Sequence, residues 1–240
     1  FYTGQLDAVL AAADRHALSV IVRVSYSHQI PEHAALSGLT QTQRLLIDPD
    51  IHAVWLKYLA RIFDICHGYR CFRYGFLSWE EFWHSFSRWQ LYRPLLRKKL
   101  AKDTGFNRYM VEQGIPITGI IPKEDEPGHE NFHAFINHRI RQMYTEAQAV
   151  FPGLTMEIRV DKDKLFNADG EVQWMRNDTY SHLETTRLTY WAPFMGAANE
   201  GEKLSAEQGL DLLSYMLDEV SEHGVHGNHI IDQFNFVDDA

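Results

Sequence analysis

Two cysteines among 240 residues, Cys66 and Cys71, are too few for a disulfide framework, and their spacing fits no zinc pattern. They leave the redox compartment open. Basic residues are short as well: 23 Lys and Arg against 32 Asp and Glu give a net charge of −9. Without a basic stripe to neutralise phosphates, nucleic acid is not expected as a partner. The densest basic segment, Arg93-Pro94-Leu95-Leu96-Arg97-Lys98-Lys99, reads as the solvated face of a helix. No apolar run approaches the roughly 20 residues of a membrane span, so none is expected. No glycine-rich loop follows a strand-like run, which withdraws support from a dinucleotide-binding sheet. Internal repeats and low-complexity segments are also missing. The chain opens at Phe1, without a methionine or signal peptide, inside a helix-like pattern. It closes at Phe236-Val237-Asp238-Asp239-Ala240, directly after a strand-like run. Both ends read as cut, and the expectation is a processed chain or a fragment.

Aromatic side chains, by contrast, are plentiful. Six Trp, 11 Tyr and 14 Phe bring the aromatic share to 13%, which suits either a thick core or a carbohydrate cleft. Trp55, Trp83 and Trp89 fall in helical segments and read as packing residues, and Cys66 as a buried small hydrophobe. A hydrophobic fraction of 45% over this length allows one large core. The expectation is a single catalytic domain over residues 1–240.

Periodicity alternates between helix and strand along the chain. Residues 5–17 place Leu6, Val9, Leu10 and Ala13 on one helical face, and Leu18–Tyr26 follows as a β-branched strand. Asp48 and Asp50 cap a helix to about His67, with Val54, Tyr58, Ile62 and Ile65 on its apolar stripe. Residues 71–79 form a strand, 81–113 helical material, and Ile115–Ile121 a short apolar strand. A long helix over 131–150 turns Phe132, Phe135, Ile136, Ile140, Met143 and Tyr144 inward. Strands over Leu154–Val160, Leu188–Phe194 and His229–Val237 complete the series, with a helix opening at Ser205 before the last. Polar residues at alternate strand positions favour a closed sheet with a lumen over an open doubly wound one. The expected fold is therefore α/β, an eight-stranded (β/α)8 barrel lacking its first strands or other segments in this chain.

Chemistry concentrates where these strands end. Trp79-Glu80-Glu81 follows the second strand, so carboxylates stand beside a flat aromatic that disfavours their charged form. On Leu154–Asp161, Met156, Ile158 and Val160 alternate with Glu157, Arg159 and Asp161, a charged face that needs a lumen or internal pairing. Arg23 and Arg73 are candidates to complete such a network. Tyr190-Trp191, Asn235 and Asp238 fall at later strand ends. An acidic, aromatic cleft with amides and few cations suits a neutral carbohydrate ligand, with no cofactor implied.

The order of elements resembles the (β/α)8 glycoside hydrolases whose general-acid Glu ends the fourth barrel strand. With Ser78-Trp79-Glu80 at that position, the resemblance implies Glu80 as acid, Glu157 as second carboxylate, and cleavage of a polysaccharide or oligosaccharide. Trp79, Glu81, Arg159, Asp161, Tyr190, Trp191, Asn235 and Asp238 are the implied substrate contacts. An extracellular polysaccharide as substrate favours a secreted or periplasmic location. Two departures stand out. The seventh strand, Thr189-Tyr190-Trp191-Ala192-Pro193-Phe194, lacks the group's nucleophilic Glu, with Glu200 the next carboxylate, and Trp79 replaces the usual Asn before the acid.

Two alternatives stand beside hydrolysis. His129-Glu130-Asn131-Phe132-His133 matches HExxH, in which two His one turn apart bind zinc and the Glu activates water. Pro127-Gly128 immediately precedes it, so His129 falls at a helix start; the longer motif has Arg139 where its third His belongs, and Glu146 is the remaining candidate ligand. The other alternative is a non-catalytic domain gripping glycan through Trp79, Tyr190 and Trp191.

Overall fold

Asp48 starts the best-defined helix of the chain. Its backbone is extended (φ −98°, ψ 109°), and its carboxylate accepts from the N–H groups of Asp50 and Ile51 at 3.0 and 3.3 Å. Pro49 fills the first helical position, where a missing N–H costs nothing. This cap was legible in the sequence.

The computed structural model describes residues 3–24, 44–45, 47–77, 92–123, 125–159, 187–192, 205–207, 210–211, 214 and 228–234; along 156–159, 187–192 and 228–234 the description is of the backbone. In order these residues form α1 (Thr3–Arg15), β1 (Val20–Val24), α2 (Pro49–Cys66), β2 (Phe72–Leu77), α3 (Pro94–Asp103) and α4 (Phe106–Glu112). Then come α5 (His129–Val150), β3 (Thr155–Arg159), β4 (Arg187–Ala192) and β5 (Asn228–Phe234). No helix among them is long and apolar enough to cross a membrane.

Two compact units divide the chain. The first, residues 1–74 and 81–152, holds the five helices, β1 and the start of β2. Here α1 packs on α2, α2 and α4 pack on α5, and α3 packs on α4. The expected stripe of α5 is the one observed: Phe132, Phe135, Ile136, Ile140, Met143 and Tyr144 are all buried. Phe106 meets Phe132 edge-on at 5.7 Å and Phe135 at 5.4 Å, while Phe63 and Phe72 both lean on Phe151. In this unit the aromatic residues build core. The stripe of α2 keeps the expected Ile62 but is otherwise shifted by one residue, burying Trp55, Leu59 and Cys66 and leaving Val54 exposed. Trp55 and Leu59 remove more apolar area from water than Val54 and Tyr58, which settles the helix's rotation. Asp14 of α1 ties down the turn before β2, accepting from the N–H of Cys71 at 2.5 Å and of Arg70 at 3.3 Å.

The second unit, residues 75–80 and 153–240, contains the rest of β2 with β3, β4 and β5. β2, β3, β4 and β5 pair successively in parallel, and the five strands follow the sheet order β1-β2-β3-β4-β5. Residues 206–207, 210–211 and 214 are helical.

The expected (β/α)8 barrel is overturned by this arrangement: among the described residues there are five strands in a linear order, not eight in a ring. One expected strand, Ile115–Ile121, is irregular. Pro116 and Pro122 cannot donate to a ladder, Gly119 sits at φ 70°, and Ile117 is exposed. Arg97 holds this segment instead, its Nε donating to the Ile121 carbonyl at 2.7 Å. The expected solvated face of α3 is therefore only partly so: Arg97 is buried and pairs with Glu126, whereas Leu95 is exposed.

Candidate functional site

Parallel strands bring register-matched residues side by side, and residues two apart share a face. Glu157 of β3 lies opposite Thr189 of β4, which lies opposite Ile230 of β5. Two residues on, Arg159 lies opposite Trp191, and Trp191 opposite Gln233. Glu157, Arg159 and Trp191 thus share two adjacent rows near the carboxyl ends of their strands. Tyr190 does not join them. It pairs with Ile158 in the alternate row, so Tyr190 and Trp191, both expected near the sugar, stand at successive positions of β4 on opposite faces of the sheet. A register shift between Tyr190 and Trp191 in the β4–β5 pairing leaves Asp232 as an extra residue of β5. Trp79, Glu80, Glu81, Asp161, Asn235 and Asp238 lie outside the described residues. Arg23 and Arg73 are exposed, and Arg73 donates to Ser19 Oγ at 2.9 Å rather than to an internal acid.

The HExxH residues open α5, as expected from Pro127-Gly128, with Gly128 as the N-cap. The rings of His129 and His133 meet edge to face at 4.2 Å, His129 buried and Glu130 exposed. Glu146, the candidate third ligand, is engaged elsewhere: its Oε2 lies 2.6 Å from His52 Nε2. Among the described residues no group of three or more His, Cys, Asp or Glu is placed to hold a metal ion.

That His52–Glu146 pair marks a feature sequence reasoning missed. It stands in a cleft of about 490 Å³ in the helical unit. His52 comes from the first turn of α2 and Glu146 from the fifth of α5. Gln142 donates to the other Glu146 oxygen at 3.0 Å, and Arg139 donates to Gln142 Oε1 at 3.0 Å. A continuous relay from Arg139 to His52 results, and the Trp55 ring stands 5.7 Å from the imidazole. Burial lowers the Arg139 pKa, with Glu146 opposing and Arg108 adding to the shift. Nothing in the linear pattern joins residues 52 and 146; the only local signal was the Asp48 cap, which fixes the turn carrying His52.

Both cysteines are free and buried. Burial, reinforced by the nearby Cys71, pushes the Cys66 thiol up to about 11, so it packs as a hydrophobe and carries no thiolate near neutrality. No protein-family model, curated protein or solved structure matches the chain.

Proposed function

We propose that the chain is a glycan-cleaving hydrolase acting through two carboxylates at the carboxyl ends of its parallel strands. The observation that carries this reading is the β3–β4 register, which sets Glu157 and Arg159 on adjacent rows with Trp191 beside Arg159. A carboxylate, a cation able to orient it and a flat aromatic for stacking a sugar ring are the parts glycoside cleavage uses. Glu80, three residues beyond the last described residue of β2, is the proposed acid. Its protonated carboxyl donates to the leaving oxygen, and Glu157 attacks the anomeric carbon or activates water. Carboxyl groups about 5–5.5 Å apart give retention of configuration; about 6.5–9.5 Å gives inversion. Outer carboxyl ends of parallel strands are where α/β sheets generally hold ligands, so the proposal does not depend on a closed barrel.

The test is release of reducing ends from soluble polysaccharides by wild type, Glu80→Gln and Glu157→Gln. Each substitution is expected to cost at least about a hundredfold in rate while leaving Tm nearly unchanged. An active Glu80→Gln enzyme removes Glu80 from the mechanism. Glycan affinity in wild type without any product assigns binding in place of cleavage.

A further inference from the structure

The cleft around His52 has an electrostatic asymmetry. Three acids line it, and each is already answered by the protein: Asp48 by the backbone of α2, Asp103 by Lys99, and Glu146 by His52 and Gln142. Of the three cations in the lining, Arg139 is engaged by Gln142, and the other two are answered less. Lys102 makes no ion pair among the described residues, and Arg108 faces Glu112 only at 3.8 Å in an exposed pair of little energetic consequence. The N–H groups that begin α2 are engaged by Asp48, so attraction for an anion comes from these side chains and not from a helix terminus. Gly105 adds a fitted detail. It sits at φ 86°, a conformation glycine adopts without strain, and a Cβ there would come within 3.3 Å of the Arg108 guanidinium. The guanidinium thus lies across a position kept free of a side chain. Ala53, Leu56 and Met143 supply apolar lining to the same space.

We propose that this cleft is a binding site for a small organic phosphate monoester, its dianionic head between Lys102 and Arg108 and its apolar body against Ala53, Leu56 and Met143. Two incompletely paired cations match a dianion better than a monoanion, and a guanidinium offers it paired donors. A cleft of this size holds a ligand of that class. The Arg139–Gln142–Glu146–His52 relay fixes the wall beside it, so the imidazole reports occupancy. The inference uses only the helical unit and is independent of glycan cleavage.

Phenyl phosphate, benzoate and phenol are the probes, titrated into the full chain and followed by calorimetry and by the His52 ring and Met143 methyl resonances. Phenyl phosphate is expected to bind with a Kd of about 1 mM or tighter, to shift both sets of resonances, and to bind several-fold tighter than benzoate. Lys102→Gln with Arg108→Gln, both at exposed positions, should weaken it at least about tenfold without moving Tm. Failure of phenyl phosphate to bind, unchanged affinity in the double variant, or equal binding of benzoate or phenol each overturns the assignment.

Discussion

The helical cleft and the carboxyl edge of the sheet place their chemistry by opposite means. In the cleft, His52 and Glu146 are 94 residues apart and meet through packing of α2 on α5, with the relay through Gln142 and Arg139 fixing both. At the sheet edge, Glu157, Arg159 and Trp191 are neighbours because backbone ladders put them in register. Side-chain networks are sensitive to anything that moves a helix. Register is chosen by the hydrophobic pattern of a whole strand, because a one-residue slip would turn every side chain over, so most single side-chain changes leave it in place. Substitutions at the two places should therefore separate: loss of activity with stability kept at the sheet edge, loss of stability in the helical unit.

The largest effect belongs to the sheet edge, where Glu80→Gln and Glu157→Gln are expected to lower glycan hydrolysis by about 10²–10⁴-fold with Tm nearly unmoved. Equal losses of Tm and activity would erase the contrast.

Next comes Phe132→Ala in α5. Phe132 is fully buried against Phe106 and points into the contact between α4 and α5. Truncation leaves a cavity and should cost about 3–5 kcal/mol, read from denaturant unfolding. Asn131→Ala, one residue away and only half-buried, is the control and should change little.

Arg97→Ala should fall below that. Arg97 is 2% exposed, and its loss takes the Nε donor from the fully buried Ile121, at about 1–3 kcal/mol. Lys99→Ala removes an exposed pair with Asp103 on the same helix and should be near neutral. Similar costs for the two would mean that Arg97 anchors nothing.

These residues also show what the sequence could and could not say. The α5 stripe was legible because a 22-residue amphipathic helix repeats its pattern many times, and the Asp48 cap because an acidic residue before Pro has one simple use. Five strand positions were legible from β-branched, aromatic or alternating apolar runs. The sixth failed because Ile115–Ile121 is apolar enough for a strand while its prolines and Gly119 deny it a ladder. The barrel failed for a related reason: alternation along each strand says which residues share a face, not how many strands there are or whether the sheet closes. Arg97 looked like one more cation on a basic helix face, since burial of a lone arginine depends on a carbonyl 24 residues away. The cleft was invisible because its deciding contact is long-range and carried by residue types common on any surface.

The smallest effect separates the helical unit from the sheet edge by pH. The Asp14 carboxyl is pushed up by partial desolvation and further down by hydrogen bonds from Cys71 and Arg70, leaving its pKa below the ordinary aspartate value. A group held lower in the folded chain than in the unfolded one stabilises the fold above the unfolded value and loses that contribution as pH falls through the folded one. Glu126 is lowered in the same sense, by the Lys123 N–H first and then Arg97. Both lie in the helical unit, so unfolding of that unit should become easier as pH falls below the ordinary carboxylate range. Asp14→Asn should flatten part of that acid slope while lowering stability at neutral pH, because an amide oxygen accepts from Cys71 and Arg70 less strongly than a carboxylate. An unchanged slope in Asp14→Asn would show that the α1 tether to the turn before β2 carries no charge-dependent stabilisation, and Glu126→Gln then isolates what the Arg97 anchor contributes.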